Sequence, residues 1–133
     1  MNRLPLAFSA VVLCLLAGCG KHDSLVTGSV LLNAQPLGGG TVTFYPVAGG
    51  PAVYGMIQND GTYELHTGGD KGLKPGDYRI TVVRTDNPPA APGKAPPMGR
   101  LATPEKYSRL QTTDLQATIK PGANEIPLNL SGK

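Results

Sequence analysis

The chain has 133 residues, 12 of them Lys or Arg and 9 Asp or Glu, for a formal net charge of +3. Its basic residues stand singly and its aromatics are few, with five Tyr, two Phe and no Trp, so the clustered basic and stacking surface of a nucleic-acid binder is excluded. With only two cysteines there is no disulfide framework, and the folded part must hold together by its core.

The first segment reads as an address rather than a structural element. Met1-Asn2-Arg3 carries one positive charge, residues 4–16 are almost wholly apolar, and the small residues Ala17 and Gly18 lead to Cys19. The run is shorter than the ~20 apolar residues of a permanent membrane helix. Leu16-Ala17-Gly18-Cys19 resembles the lipobox of bacterial lipoproteins. That resemblance implies that residues 1–18 are a lipoprotein signal peptide and that the Cys19 thiol receives a diacylglyceryl group. It also implies that Cys19 becomes the acylated first residue, its added chain a fatty acid such as palmitate. Cys14 lies inside the removed segment, so the mature chain has one cysteine, already alkylated. Each buried CH₂ contributes ~0.8 kcal/mol, and two or more acyl chains anchor stably.

Residues 19–24 read as a short tether, whose reach as a flexible coil is ~12 Å. His22 beside Asp23 lacks, in such a segment, the fixed geometry of a metal or catalytic site. The expected location is the cell envelope, with the chain lipid-anchored. Gly20 stands where some bacteria place the Asp that signals inner-membrane retention, which favours the outer membrane or cell surface, facing periplasm or exterior.

From residue 25 to 131 the pattern is that of short strands and turns. Val26 to Leu32 reads as a first strand, Asn33 to Leu37 as a turn, Gly38-Gly39-Gly40 as a connector, and Thr41 to Tyr45 as a strand with Val42 and Phe44 inward. Gly49-Gly50-Pro51 makes a turn before a weaker strand through Gln58, in which Gly55 marks a bulge or a close backbone approach. Asn59-Asp60-Gly61 is a hairpin-turn signal followed by Thr62-Tyr63-Glu64-Leu65 in clean alternation, with His66 on the solvent face beside Glu64. Pro75-Gly76 is a second turn, and it launches Tyr78, Ile80 and Val82 along one face. Residues 86–103 carry Pro88, Pro89, Pro92, Pro96 and Pro97, and are expected as an extended or disordered loop. Thr103-Pro104-Glu105 opens one helical turn. Asp114 to Lys120 is the next strand, and Ile126, Leu128 and Leu130 alternate in the last, where Pro127 requires a sheet edge or a bulge.

The order of these pieces, from Val26-Thr27-Gly28-Ser29-Val30 through Asn59 to Leu65 and Leu73-Lys74-Pro75-Gly76-Asp77-Tyr78, resembles the carboxypeptidase-regulatory-like domain. The resemblance implies an all-β fold: a seven-stranded antiparallel Greek-key sandwich, transthyretin- or prealbumin-like and Ig-like. It brings no peptidase activity. Tyr78 also resembles a tyrosine corner, its hydroxyl tying a loop to backbone.

Chemical motifs are few. Neither a zinc-ligand spacing nor a Gly-x-Ser-x-Gly elbow occurs, and Gly38 to Gly40 is followed by a strand without the Lys-Ser/Thr of a phosphate loop. Asp60 and Asp70 bracket a hairpin and could hold calcium, although Asp beside Gly has a sufficient backbone explanation. The expectation is a membrane-anchored lipoprotein carrying a non-catalytic β-sandwich for binding or envelope organisation, with no cofactor or metal. Its partners would be membrane lipid, through Cys19, and an envelope protein or polysaccharide. One alternative is a carbohydrate-binding surface module using Tyr45 and Tyr54, and another is a small transthyretin-like hydrolase. The latter's clustered His and Arg and its Tyr-Arg-Gly-Ser ending do not occur here.

Overall fold

Alternating side chains put one row of each strand into a shared interior, and turn residues every few positions keep the strands short. The structure, a computed structural model, describes residues 24–68 and 70–132. In chain order the strands are β1 (Ser24–Leu32), β2 (Gln35–Pro36), β3 (Thr41–Pro46), β4 (Val53–Met56) and β5 (Thr62–Glu64). There follow β6 (His66–Thr67), β7 (Asp70–Lys71), β8 (Gly76–Val83), β9 (Thr85–Asp86) and β10 (Arg100–Leu101). A 3₁₀ turn (Glu105–Ser108) precedes β11 (Gln116–Ile119), β12 (Gly122–Glu125) and β13 (Leu128–Leu130). No α-helix occurs among the described residues, and two sheets enclose one apolar core, so the all-β sandwich read from the sequence is the architecture. Residues 1–18, read from the sequence as a signal peptide, Cys19 and the pair His22-Asp23 lie outside the described residues. Ser24, read from the sequence as tether, belongs to β1, where its amide and carbonyl both pair with Leu73.

The first sheet is organised by β1. On one side, β12 and β13 continue one another parallel to it, in a single register from Ser24 opposite Gly122 to Leu32 opposite Leu130. On the other side β5 and β2 pair with it antiparallel. The parallel pairing departs from the antiparallel sheet expected, and its cause is the route of the chain. β11 ends at Ile119 beside Gly76, and the turn through Pro121 re-enters at Gly122 next to Ser24, so the final segment must run in the direction of β1. Pro127 falls in the break between β12 and β13, on a strand with no outer neighbour among the described residues, as its missing amide requires. The second sheet is antiparallel in the order β11, β8, β3, β4, β6, β7.

The stretch 62–67 belongs to both sheets. The turn at Asn59-Asp60-Gly61 forms as expected, with Gly61 at φ +88° and the Gln58 amide donating to the Thr62 carbonyl at 2.7 Å. Yet β5 then leaves β4 and pairs with β1, and Leu65 donates to the Val26 carbonyl before His66 returns to pair with Tyr54 of the second sheet. Gly55 makes this crossing feasible, because any Cβ there would collide with the Glu64 carbonyl. Inside, the Phe44 ring lies 6.2 Å from Tyr63 of the first sheet and 6.0 Å from Tyr78 of the second, tilted against both. The Tyr78 hydroxyl donates to the Lys74 carbonyl at 2.7 Å, so this residue ties its own loop to backbone.

The proline-rich segment is better ordered than its composition implies. Its ends pair, Arg100 with Asp86 and Leu101 with Thr85, and Arg84 Nη2 meets Asp86 Oδ1 at 3.1 Å. At its tip the Lys94 amide donates to the Ala91 carbonyl at 3.0 Å, with Pro92 and Gly93 (φ +78°) between them, a Pro-Gly turn. The buried Thr103 hydroxyl bonds the Arg84 amide and the Val82 carbonyl at the root. Residues 87–99 form no strand, as an extended loop would, and the departure from expectation is the short paired clasp at its base.

Gly28, mid-β1, lies so close to Ile126 that an added Cβ would run into its carbonyl and stand 2.8 Å from the Tyr63 ring. Gly28→Ala is therefore expected to destabilise the fold by about 1–3 kcal/mol through overpacking. Thr27→Ala, on the exposed side of the same strand, should stay within about 0.5 kcal/mol of the parent. Urea unfolding midpoints of the two variants measure the difference.

Candidate functional site

Outward rows of a sandwich are polar because they face water, and they become a site where two such rows converge. This happens at the crossing from β5 to β6. Thr27, Ser29, Thr62 and Glu64 point outward from the first sheet and Tyr54, Met56 and His66 from the second, and between them runs an open groove of about 950 Å³. Tyr54 is 63% exposed and Met56 58%, so the groove carries an accessible aromatic ring and a soft apolar neighbour. The Met56 sulfur lies 3.7 Å from the Thr41 hydroxyl.

At one end of this groove Glu64 gathers two cationic or hydrogen-bonding partners. Its Oε1 lies 3.1 Å from His66 Nε2 and 3.4 Å from Lys71 Nζ. Lys71 reaches it because Thr67 pairs with Asp70 in a tight hairpin, braced by the Thr67 hydroxyl on the Gly72 carbonyl at 2.7 Å. All three side chains are between two-fifths and two-thirds exposed, so their attraction is screened and worth only ~0–1 kcal/mol. What the trio offers instead is a fixed array of donors and acceptors beside the Tyr54 ring, with Gln58 and Glu125 also lining the groove. Such a surface can hydrogen-bond and stack on a polar ligand.

The structure separates the residues singled out by sequence. Tyr54 lines the groove, whereas Tyr45 is half-buried elsewhere on the second sheet. His66 stands beside Glu64 on the solvent side, as read from the alternation. Asp60 turns back on its own loop, its Oδ1 accepting from the Thr62 amide at 3.0 Å and the Thr62 hydroxyl at 2.6 Å, while Asp70 belongs to β7. Among the described residues no three of His, Cys, Asp and Glu gather as a metal site. Sequence reasoning missed Lys71, Met56 and Glu125. Only the sheet crossing brings Lys71 and Met56 to one place, and Glu125 arrives through the parallel pairing of β12. No family model, curated protein or solved structure matches the chain.

The hydrogen bond from the Thr62 hydroxyl, with that from its amide, holds the Asp60 carboxyl below the usual aspartate range. A carboxyl lowered by folding stabilises the turn at neutral pH, and that contribution is lost as the pH falls through its lowered titration. Thr62→Val removes the larger cause. A carbon-detected NMR titration should show the Asp60 carboxyl moving up toward its ordinary value in this variant, with an unchanged midpoint contradicting the assignment.

Proposed function

We propose that this protein is an acylated, membrane-tethered β-sandwich that binds rather than catalyses, serving recognition or organisation at the cell envelope. Support for the tether comes from the lipobox-like Leu16-Ala17-Gly18-Cys19 after a charged and then apolar segment, with Cys19 the lipidated residue. The carboxypeptidase-regulatory-like resemblance agrees with a sandwich built on one apolar core. The Gly after Cys19, in place of the Asp that signals inner-membrane retention in some bacteria, supports outer-membrane or cell-surface placement.

The observation that carries the binding role is the exposed Tyr54 ring in a groove fringed by Glu64, His66 and Lys71. An aromatic face flanked by hydroxyl, carboxylate and amine groups suits a sugar ring, whose C–H face stacks while its hydroxyls hydrogen-bond. This favours an envelope polysaccharide as the ligand. Tyr54→Ala should weaken binding of the full chain to isolated cell-wall and capsular glycans about tenfold, the scale of one aromatic contact at ~1.4 kcal/mol. Met98→Ala, on the proline-rich hairpin and outside the groove lining, should leave it unchanged. Undiminished binding by Tyr54→Ala, or no glycan bound by the parent chain, removes the saccharide reading.

A further inference from the structure

We infer that one end of the sandwich rests on the bilayer that holds the chain, so that the proline-rich hairpin points away from it. The inference depends on acylation at Cys19. Four residues separate Cys19 from Ser24, where β1 begins. Five Cα–Cα steps span under ~20 Å even when fully extended. β1 itself runs ~30 Å at about 3.3 Å per residue, so the end of the domain at Ser24 is held near the lipid and the end at Leu32 is not.

The strand registers identify what shares the near end. Ser24 stands opposite Gly122 and Leu73, Gly76 opposite Ile119, and Pro46 opposite Tyr78. The loops there are therefore 47–52, 72–76 and 120–122. Residues 47–52 read Val-Ala-Gly-Gly-Pro-Ala, an uncharged loop whose Val47 is 62% exposed, and Leu25 nearby is 48% exposed. Lys74 and Lys120 flank them, both exposed. The acids at this end are Asp70 and Asp77, and Asp77 accepts the Thr118 hydroxyl at 2.7 Å. An uncharged loop with an exposed valine, sharing its end of the sandwich with two exposed lysines and held within a short tether's reach of the lipid, matches a bilayer surface with anionic headgroups. At the opposite end the hairpin from β9 to β10 leaves Val83, which pairs with Thr41.

The test uses the full acylated chain reconstituted in vesicles of phosphatidylglycerol and phosphatidylcholine. A fluorophore is attached through Ala48→Cys in loop 47–52 or Ala95→Cys in the hairpin, both exposed positions. Quenching by a nitroxide-bearing lipid should be at least threefold stronger at position 48. Lys74→Glu with Lys120→Glu should abolish that difference while the chain still floats with the vesicles. Equal quenching at both positions in a chain that floats would overturn the docked orientation and leave the anchor standing. A chain that does not float removes the acylation on which the orientation depends, and the two failures are thereby told apart.

Discussion

The contact on which the rest of the fold depends is that of Tyr63 with Gly28 and Ile126. The Tyr63 ring occupies the space that a side chain at position 28 would take, and its hydroxyl donates to the Ile126 carbonyl at 2.6 Å. One side chain thus joins β5, the central β1 and the last segment of the chain, which are distant in sequence. Burial pushes the phenol well above its ordinary titration, so it remains a donor across the physiological range. The carbonyl it satisfies lies where Pro127 interrupts the ladder, and there an unpaired acceptor would be costly.

With β1 locked between β5 and the last segment of the chain, the stretch 62–67 is free to leave the first sheet and join the second. That crossing sets the outward rows of both sheets at an angle to each other, and the groove at Tyr54 is the space between them. The fold and the candidate site therefore share one cause. The core is filled by Phe44 between Tyr63 and Tyr78, so these two tyrosines are spent on structure, whereas Tyr54 is left facing solvent.

Much of this was legible in the sequence because a period of two reports which face each residue occupies. Val42 with Phe44, and Tyr78 with Ile80 and Val82, are buried as their alternation required, and Glu64 and His66 share the solvent face. Gly55 signalled a close backbone approach, and Pro127 a strand edge. Period says nothing about partners, however. The parallel pairing of β1 with β12 and β13 spans nearly the whole chain, and the departure of β5 from β4 contradicts what a turn signal alone suggests. Proline content likewise accounts for the strandless run 87–99 but not for the clasp at its base, because the pairing of Asp86 with Arg100 and the buried Thr103 hydroxyl are long-range and leave no local pattern. Lys71 reached the groove through the pairing of β6 with β7, which the Gly-rich turn signal after Leu65 did not by itself specify.

Location and function meet at Cys19, since a tethered sandwich presents its groove within a few nanometres of a lipid surface and a free one does not. The most direct test is the intact mass of the protein from membrane fractions, beside that of a Cys19→Ser variant. The account predicts a mature species beginning at residue 19 and carrying the mass of acyl chains, with neither cleavage nor acylation in the variant. An unmodified, soluble product with a free thiol would contradict it.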